Sequence, residues 1–235
     1  MRIRENLKAV KEIINNSSLK AGRNPQDIRL VAVTKTVGLP EIIEAVNAGV
    51  LILGENRVQE AKEKISNYKL QISNSKVEWH LIGSLQKNKT RAAVQLFDLI
   101  HSVDSISLAE EINKEAQNTG KKQRVLIQVK LSGEAAKHGV LEKDLTALHA
   151  EVTKMKNIKL EGLMTIPPYF ENPEMSRPYF MRLREIRDKL SSTAYNLPEL
   201  SIGMSNDFEV AIEEGATMVR IGTAIFGERT QRSRA

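Results

Sequence analysis

The sequence predicts an α/β protein built as a single TIM (β/α)8 barrel. Three observations carry the prediction. Eight short runs rich in β-branched and aliphatic residues, at 30–34, 51–54, 78–82, 99–103, 125–129, 160–164, 199–203 and 218–222, alternate with helix-period segments along the chain. Those runs are nearly continuous in apolar character, as parallel strands covered on both faces should be. The segments between them are long enough for the helical crossovers that parallel strands require. Eight such units in 235 residues sit at the compact end of the barrel's range. A doubly wound open sheet is the alternative.

The elements are legible in order. Ile3, Leu7, Val10, Ile13 and Ile14 fall on one helical face, so the first twenty residues form a helix ahead of the first strand. Pro40 opens a helix through Ile42, Ile43, Ala45 and Val46 that stops at Gly49. Segment 67–76 is polar and reads as a loose loop, and 167–178, with four prolines, reads as another. Asn206-Asp207-Phe208-Glu209 resembles a capping box, with its helix ending at Gly215. The barrel, with its leading helix, is expected over 1–229 as one domain, followed by a basic tail at 230–235.

Composition excludes much chemistry. The chain has no cysteine, so it holds no disulfide, thiolate metal site, iron–sulfur cluster or cysteine nucleophile. Its four histidines include no H-x-x-x-H pair, which argues against a histidine metal site. No apolar run approaches the roughly 20 residues of a membrane span, and the start lacks a signal-peptide pattern. A soluble, cytoplasmic protein is expected. The net charge of +6 is mild. Its basic clusters, 87–91, 121–124 and 229–234, lack the interleaved aromatics of a single-strand nucleic-acid platform. Solvated surface explains them better than a specific nucleic-acid partner does. Gly222 and Gly227 have Walker A spacing, but Glu228 stands where the lysine belongs, and no G-x-G-x-x-G follows a strand.

In a barrel, functional residues collect where strands end at their carboxyl side. The first strand ends at Lys35. Desolvation in the barrel mouth would depress its pKa and free a neutral amine to attack a carbonyl. Asn56 follows the second strand, either to bond a ligand oxygen or to cap the next helix. His80 lies within the third strand, as a core histidine or as a group that orients a ring. Ser205, after the seventh strand, and Gly222 and Thr223, after the eighth, present small residues at helix starts, where barrels hold phosphate. Ordinary capping is the competing explanation. A capturing lysine facing a phosphate cradle suits a small phosphorylated aldehyde, and pyridoxal 5′-phosphate (PLP) fits that description.

At these residues the chain resembles a known family. Val31-Ala32-Val33-Thr34-Lys35-Thr36, Gly54-Glu55-Asn56-Arg57-Val58-Gln59-Glu60, Trp79-His80-Leu81-Ile82-Gly83-Ser84-Leu85-Gln86-Lys87-Asn88-Lys89, Gly162-Leu163-Met164-Thr165-Ile166, Leu200-Ser201-Ile202-Gly203-Met204-Ser205 and Arg220-Ile221-Gly222-Thr223-Ala224-Ile225-Phe226-Gly227 are similar, in order, to the pyridoxal phosphate homeostasis proteins. Lys130 and Ile202 depart from residues common there. The resemblance implies a barrel of the PLP fold-type III (alanine racemase N-terminal) kind, with PLP held as an internal aldimine by Lys35. It also implies that Arg220 faces the pyridine nitrogen, that Ser205, Gly222 and Thr223 hold the phosphate, and that Asn56, His80 and Ser201 line the ring. The function expected is intracellular PLP homeostasis without robust catalysis, by a monomer that buffers PLP or hands it on to PLP-dependent apo-enzymes. A PLP-dependent amino-acid racemase is the alternative. A nucleic-acid- or membrane-bound scaffold is a third, weaker one.

Overall fold

The computed structural model describes residues 2–71, 77–133, 138–191 and 195–228. Helix α1 (Arg2–Lys20) precedes β1 (Arg29–Val33), α2 (Leu39–Asn47), β2 (Ile52–Glu55), α3 (Val58–Gln71) and β3 (Glu78–Leu81). Then come α4 (Thr90–Leu96), β4 (Leu99–Val103), α5 (Ile106–Asn118), β5 (Gln123–Lys130), β6 (Val140–Leu141) and α6 (Glu142–Lys154). The last units are β7 (Ile158–Met164), α7 (Arg177–Leu190), β8 (Glu199–Met204), α8 (Phe208–Glu213), β9 (Met218–Ile221) and α9 (Thr223–Phe226). The eight expected strands pair in parallel in the order β1-β2-β3-β4-β5-β7-β8-β9, and β9 returns to β1, closing the barrel. Closure overturns the open-sheet alternative.

Side chains alternate between two cores. Val31, Val33, Ile52, Ile82, Leu99, Leu126, Met164 and Met218 form one buried cluster, filling the lumen. Their neighbours on the same strands, including Ala32, Leu53, Leu81, Ile100, Ile127, Leu163, Val219 and Ile221, join the larger core under the helices. This period of two places residues on the inner or outer wall by parity alone. Helix α1 buries Ile3, Leu7, Val10 and Ile14, and Asn6 Nδ2 donates to Ile225 O at 2.9 Å.

Four expectations are corrected. The polar segment at 67–76 is no loop at its start: α3 continues to Gln71, because Ile65 and Tyr68 bury a helical face; positions 72–76 lie outside the described residues. Within 167–178, a 3-10 turn occupies Pro173–Ser176 and Pro178 sits in the first turn of α7, where proline's missing N–H costs nothing. The capping box does not form: α8 has no side-chain cap bond. A ninth, two-residue strand, β6, pairs with β5 and was not visible as a run. The tail at 230–235, with the boundary at 229, lies outside the described residues.

Candidate functional site at the carboxyl end of the barrel

Parity carries Lys35 and Asn56 to the inner wall. Val31 and Val33 face the lumen, so position 35 continues their row, and Ile52 and Gly54 lead in the same way to position 56. Thr34 Oγ1 donates to Glu55 Oε1 at 2.6 Å on the outer face. Lys35 is exposed at the mouth, which corrects the expected desolvation of its amine. Asn56 is two residues ahead of α3 and is half-buried. Its backbone lies so close to Gly83 that a Cβ there would meet Asn56 O at 2.3 Å. Only glycine allows the loops after β2 and β3 this approach.

The peptide units around Lys35 are clamped from outside. Lys64, on α3, donates to Thr34 O at 2.5 Å, to Glu55 Oε1 at 2.8 Å and to Glu60 Oε1 at 2.7 Å. Glu60 Oε1 also accepts from the Thr36 amide at 2.6 Å. Thr36 is the non-glycine residue with positive φ among those described, at 62°. That conformation is strained for a β-branched residue by about 1–3 kcal/mol. Burial pushes the Glu55 carboxyl upward, and the Lys64 ammonium only partly offsets the shift. Such a cluster opposes folding through Glu55, so its use is placement: it fixes the chain on both sides of Lys35.

On the strands next to β1 lie Arg220, on β9, and the loops after β8 and β9. Arg220 is buried. Its Nη1 donates to Ser201 Oγ at 2.6 Å and its Nη2 to Thr165 O at 2.9 Å. Desolvation lowers its guanidinium to about 10, with Asp207 opposing the shift, so it remains a cation at neutral pH. Ser205 Oγ accepts from the amides of Gly222 and Ala224 at 3.3 and 3.4 Å. Thr223 is exposed beside them. Two of the expected phosphate residues, Ser205 and Gly222, are therefore in contact.

His80 is fully buried, and both ring nitrogens are engaged inside the lumen. Nε2 lies 3.0 Å from Glu78 Oε2, and Nδ1 lies 3.0 Å from Nε2 of His101. His101 Nδ1 is 2.9 Å from Ser201 Oγ. His80 thus stands two side chains away from Arg220 and reaches it through His101. Sequence reasoning missed His101, Glu78, Thr165 and the Lys64 clamp. For His101 a signal existed: it shares the inner parity of Leu99 on β4.

The groups gathered at this end of the barrel are a serine hydroxyl held by two loop amides, a buried guanidinium and, after β1, a primary amine. A family model, described as the alanine racemase N-terminal domain, matches residues 2–230. A pyridoxal phosphate homeostasis protein from Aquifex aeolicus (strain VF5) is 49% identical over 228 residues, covering 96% of this chain and 97% of that one. The chain belongs to the pyridoxal phosphate homeostasis protein family. Among solved structures, PipY of Synechococcus elongatus PCC7942 with PLP bound has a TM-score of 0.84 at 36% identity, covering 96% of this chain and all of that one. An alanine racemase from Clostridium difficile 630 has a TM-score of 0.74 at 20% identity, with 98% of this chain covered and 58% of that one. That likeness is one of fold: the racemase shares the barrel and extends beyond it. Members of the homeostasis family are thus matched over nearly their whole length. No helix among the described residues is long and apolar enough to cross a membrane.

Proposed function

We propose that this protein binds PLP covalently through Lys35 and serves intracellular PLP homeostasis as a non-catalytic carrier. The observation that carries the reading is one stretch of the barrel's carboxyl end, where β1 leads into Lys35 and the adjoining β9 and β8 carry the Arg220 guanidinium and lead into the Ser205 cradle. The groups fit the cofactor. When bound, PLP supplies an aldehyde that condenses with an amine and a pyridine ring that draws electrons. Lys35 is the amine. Arg220 engages Ser201 and Thr165 with only part of its donor fork, leaving N–H groups for the ring nitrogen. Ser205, Gly222 and Thr223 offer a hydroxyl-and-amide cradle for the phosphate, and Asn56 and Ser201 flank the ring. His80 acts through His101 rather than by touching it.

Two arguments support carriage over catalysis. A permanent cation beside the pyridine nitrogen disfavours its protonation and weakens the ring as an electron sink, which discourages catalysis but decides less than the second argument. Racemisation by two bases also needs an acid/base on each ring face. The C. difficile racemase is matched over only 58% of its length, whereas the A. aeolicus homeostasis protein is matched over 97% of its own. The carrier is read as a cytoplasmic monomer that passes PLP to apo-enzymes, with neither nucleic acid nor membrane as partner.

Titration of the purified protein with PLP, followed by visible absorbance, is expected to give one saturable imine band per chain. Arg220→Lys is expected to keep the band and weaken affinity about tenfold, because a point charge cannot replace the planar fork. Sustained racemisation of a free amino acid by the wild-type protein would overturn the carrier reading.

A further inference from the structure

The polar side chains crossing the lumen form one chain, Arg220–Ser201–His101–His80–Glu78, with contacts of 2.6, 2.9, 3.0 and 3.0 Å. Its ends fix its direction. Arginine has no acceptor, so Arg220 donates to Ser201. At the far end, the Glu78 carboxyl is held down to about 2 by the hydrogen bond from His80 and by Arg124. It is a carboxylate that only accepts, and Arg124 Nη1 donates to the same oxygen at 2.9 Å. His80 Nε2 therefore carries the proton. Burial keeps both imidazoles neutral, pushing His80 down and His101 well down, and a neutral imidazole has a single N–H. His80 Nδ1 must then accept from His101 Nε2, and His101 Nδ1 must accept the Ser201 hydroxyl. Every donor points from Arg220 toward Glu78, and the reverse order would need a proton on Glu78.

We propose that this one-way relay positions the Arg220 guanidinium, with His101 as its central positioning residue. The hydroxyl of Ser201 has two tasks, accepting from Arg220 and donating to His101. Without an acceptor at position 101 the hydroxyl loses the bond that orients its lone pairs toward Nη1, so Arg220 is held less firmly there while keeping Thr165. The inference deepens the PLP reading and rests on it for the ligand alone, since the relay belongs to the chain itself. It adds residues that line no part of the mouth. His101 and Glu78 act on the ligand only through Ser201 and Arg220.

Two measurements test it. The ¹⁵N chemical shifts of the imidazoles, recorded at neutral pH without cofactor, are expected to show His80 and His101 both as Nε2–H tautomers. An Nδ1–H tautomer at either residue would overturn the relay. In PLP titrations, His101→Leu is expected to weaken binding about tenfold, the size of one net hydrogen bond. His101→Gln should recover most of that loss, because its amide oxygen accepts from Ser201 while its NH2 donates to His80. A merely space-filling role would be met by leucine at least as well as by glutamine, so equal or tighter binding by His101→Leu than by His101→Gln would also overturn the proposal. If wild-type protein failed to bind PLP, the functional reading would fall, and the tautomers would still decide the relay.

Discussion

Lys64→Met is expected to destabilise the fold by about 3–5 kcal/mol in urea denaturation, the usual cost of stranding one partner of a buried ion pair. Glu55 is 0% exposed, and Lys64 is the cation on its carboxylate. Without that cation Glu55 must take up a proton to stay buried. Near pH 7, protonating a carboxyl of ordinary pKa 4.5 costs about 3.4 kcal/mol. The added replacement Glu55→Gln is expected to recover at least about 2 kcal/mol, since a neutral amide satisfies Thr34 without a buried charge. Affinity for PLP is expected to stay low in the double variant. Thr34 O and Glu60 would still lack the Lys64 ammonium that fixes the strained turn at Thr36. Recovered stability with impaired binding separates placement of Lys35 from stabilisation of the barrel. Full recovery of both would show that the clamp serves stability alone.

Acid is expected to destabilise the protein well before its carboxylates titrate. His80 and His101 are buried and neutral, facing Glu78, Arg124, Arg29, Arg220 and each other, and desolvation lowers both below the ordinary 6.5. In the unfolded chain each takes a proton as pH falls through 6.5, whereas in the folded chain His80 does so at a lower pH and His101 only well below 6.5. The unfolded state then binds more protons, so stability is full above that value and falls below it. Each imidazole contributes about 1.4 kcal/mol per pH unit, or about 2.7 kcal/mol for the pair. His149, also lowered by burial, adds a smaller effect of the same sign. Glu78 opens a second window of loss, between 4.5 and about 2. Urea midpoints at successive pH values from neutral down to 5 read the first window, and His101→Gln is expected to remove about half of the pair's slope. A flat profile across that range would mean that the lumen tolerates charged imidazoles.

The barrel was legible because its strands are buried on both faces, which writes them as apolar runs that no loop imitates. Strand-end residues were legible for the same reason: once the runs are placed, Lys35, Asn56 and Ser205 fall at known heights, whereas Arg220, inside the last run, was reached only through the family resemblance. His101 was hidden by that reasoning, since one histidine inside Leu99-Ile100-His101-Ser102-Val103 resembles a solitary core residue until β3 places His80 beside it. The Lys64 clamp depends on how α3 leans across β2, which no local pattern encodes. At 206–209 a local motif lost to tertiary partners: Asp207 accepts from the Met204 amide at 2.7 Å and from Ser176 Oγ at 3.0 Å, so its carboxylate is not available to cap α8. The polar stretch after 67 misled through composition, because Tyr68 packs the last turn against Trp79, with ring centroids 5.8 Å apart.

Covalent capture of PLP by Lys35 is the claim on which the functional account depends. Protein loaded with PLP, reduced with borohydride, digested and mapped by mass spectrometry tests it most directly. The expected result is one phosphopyridoxyl group per chain, on the peptide containing Lys35, and no adduct in Lys35→Ala. An adduct on another lysine, or one that persists in Lys35→Ala, would contradict the account.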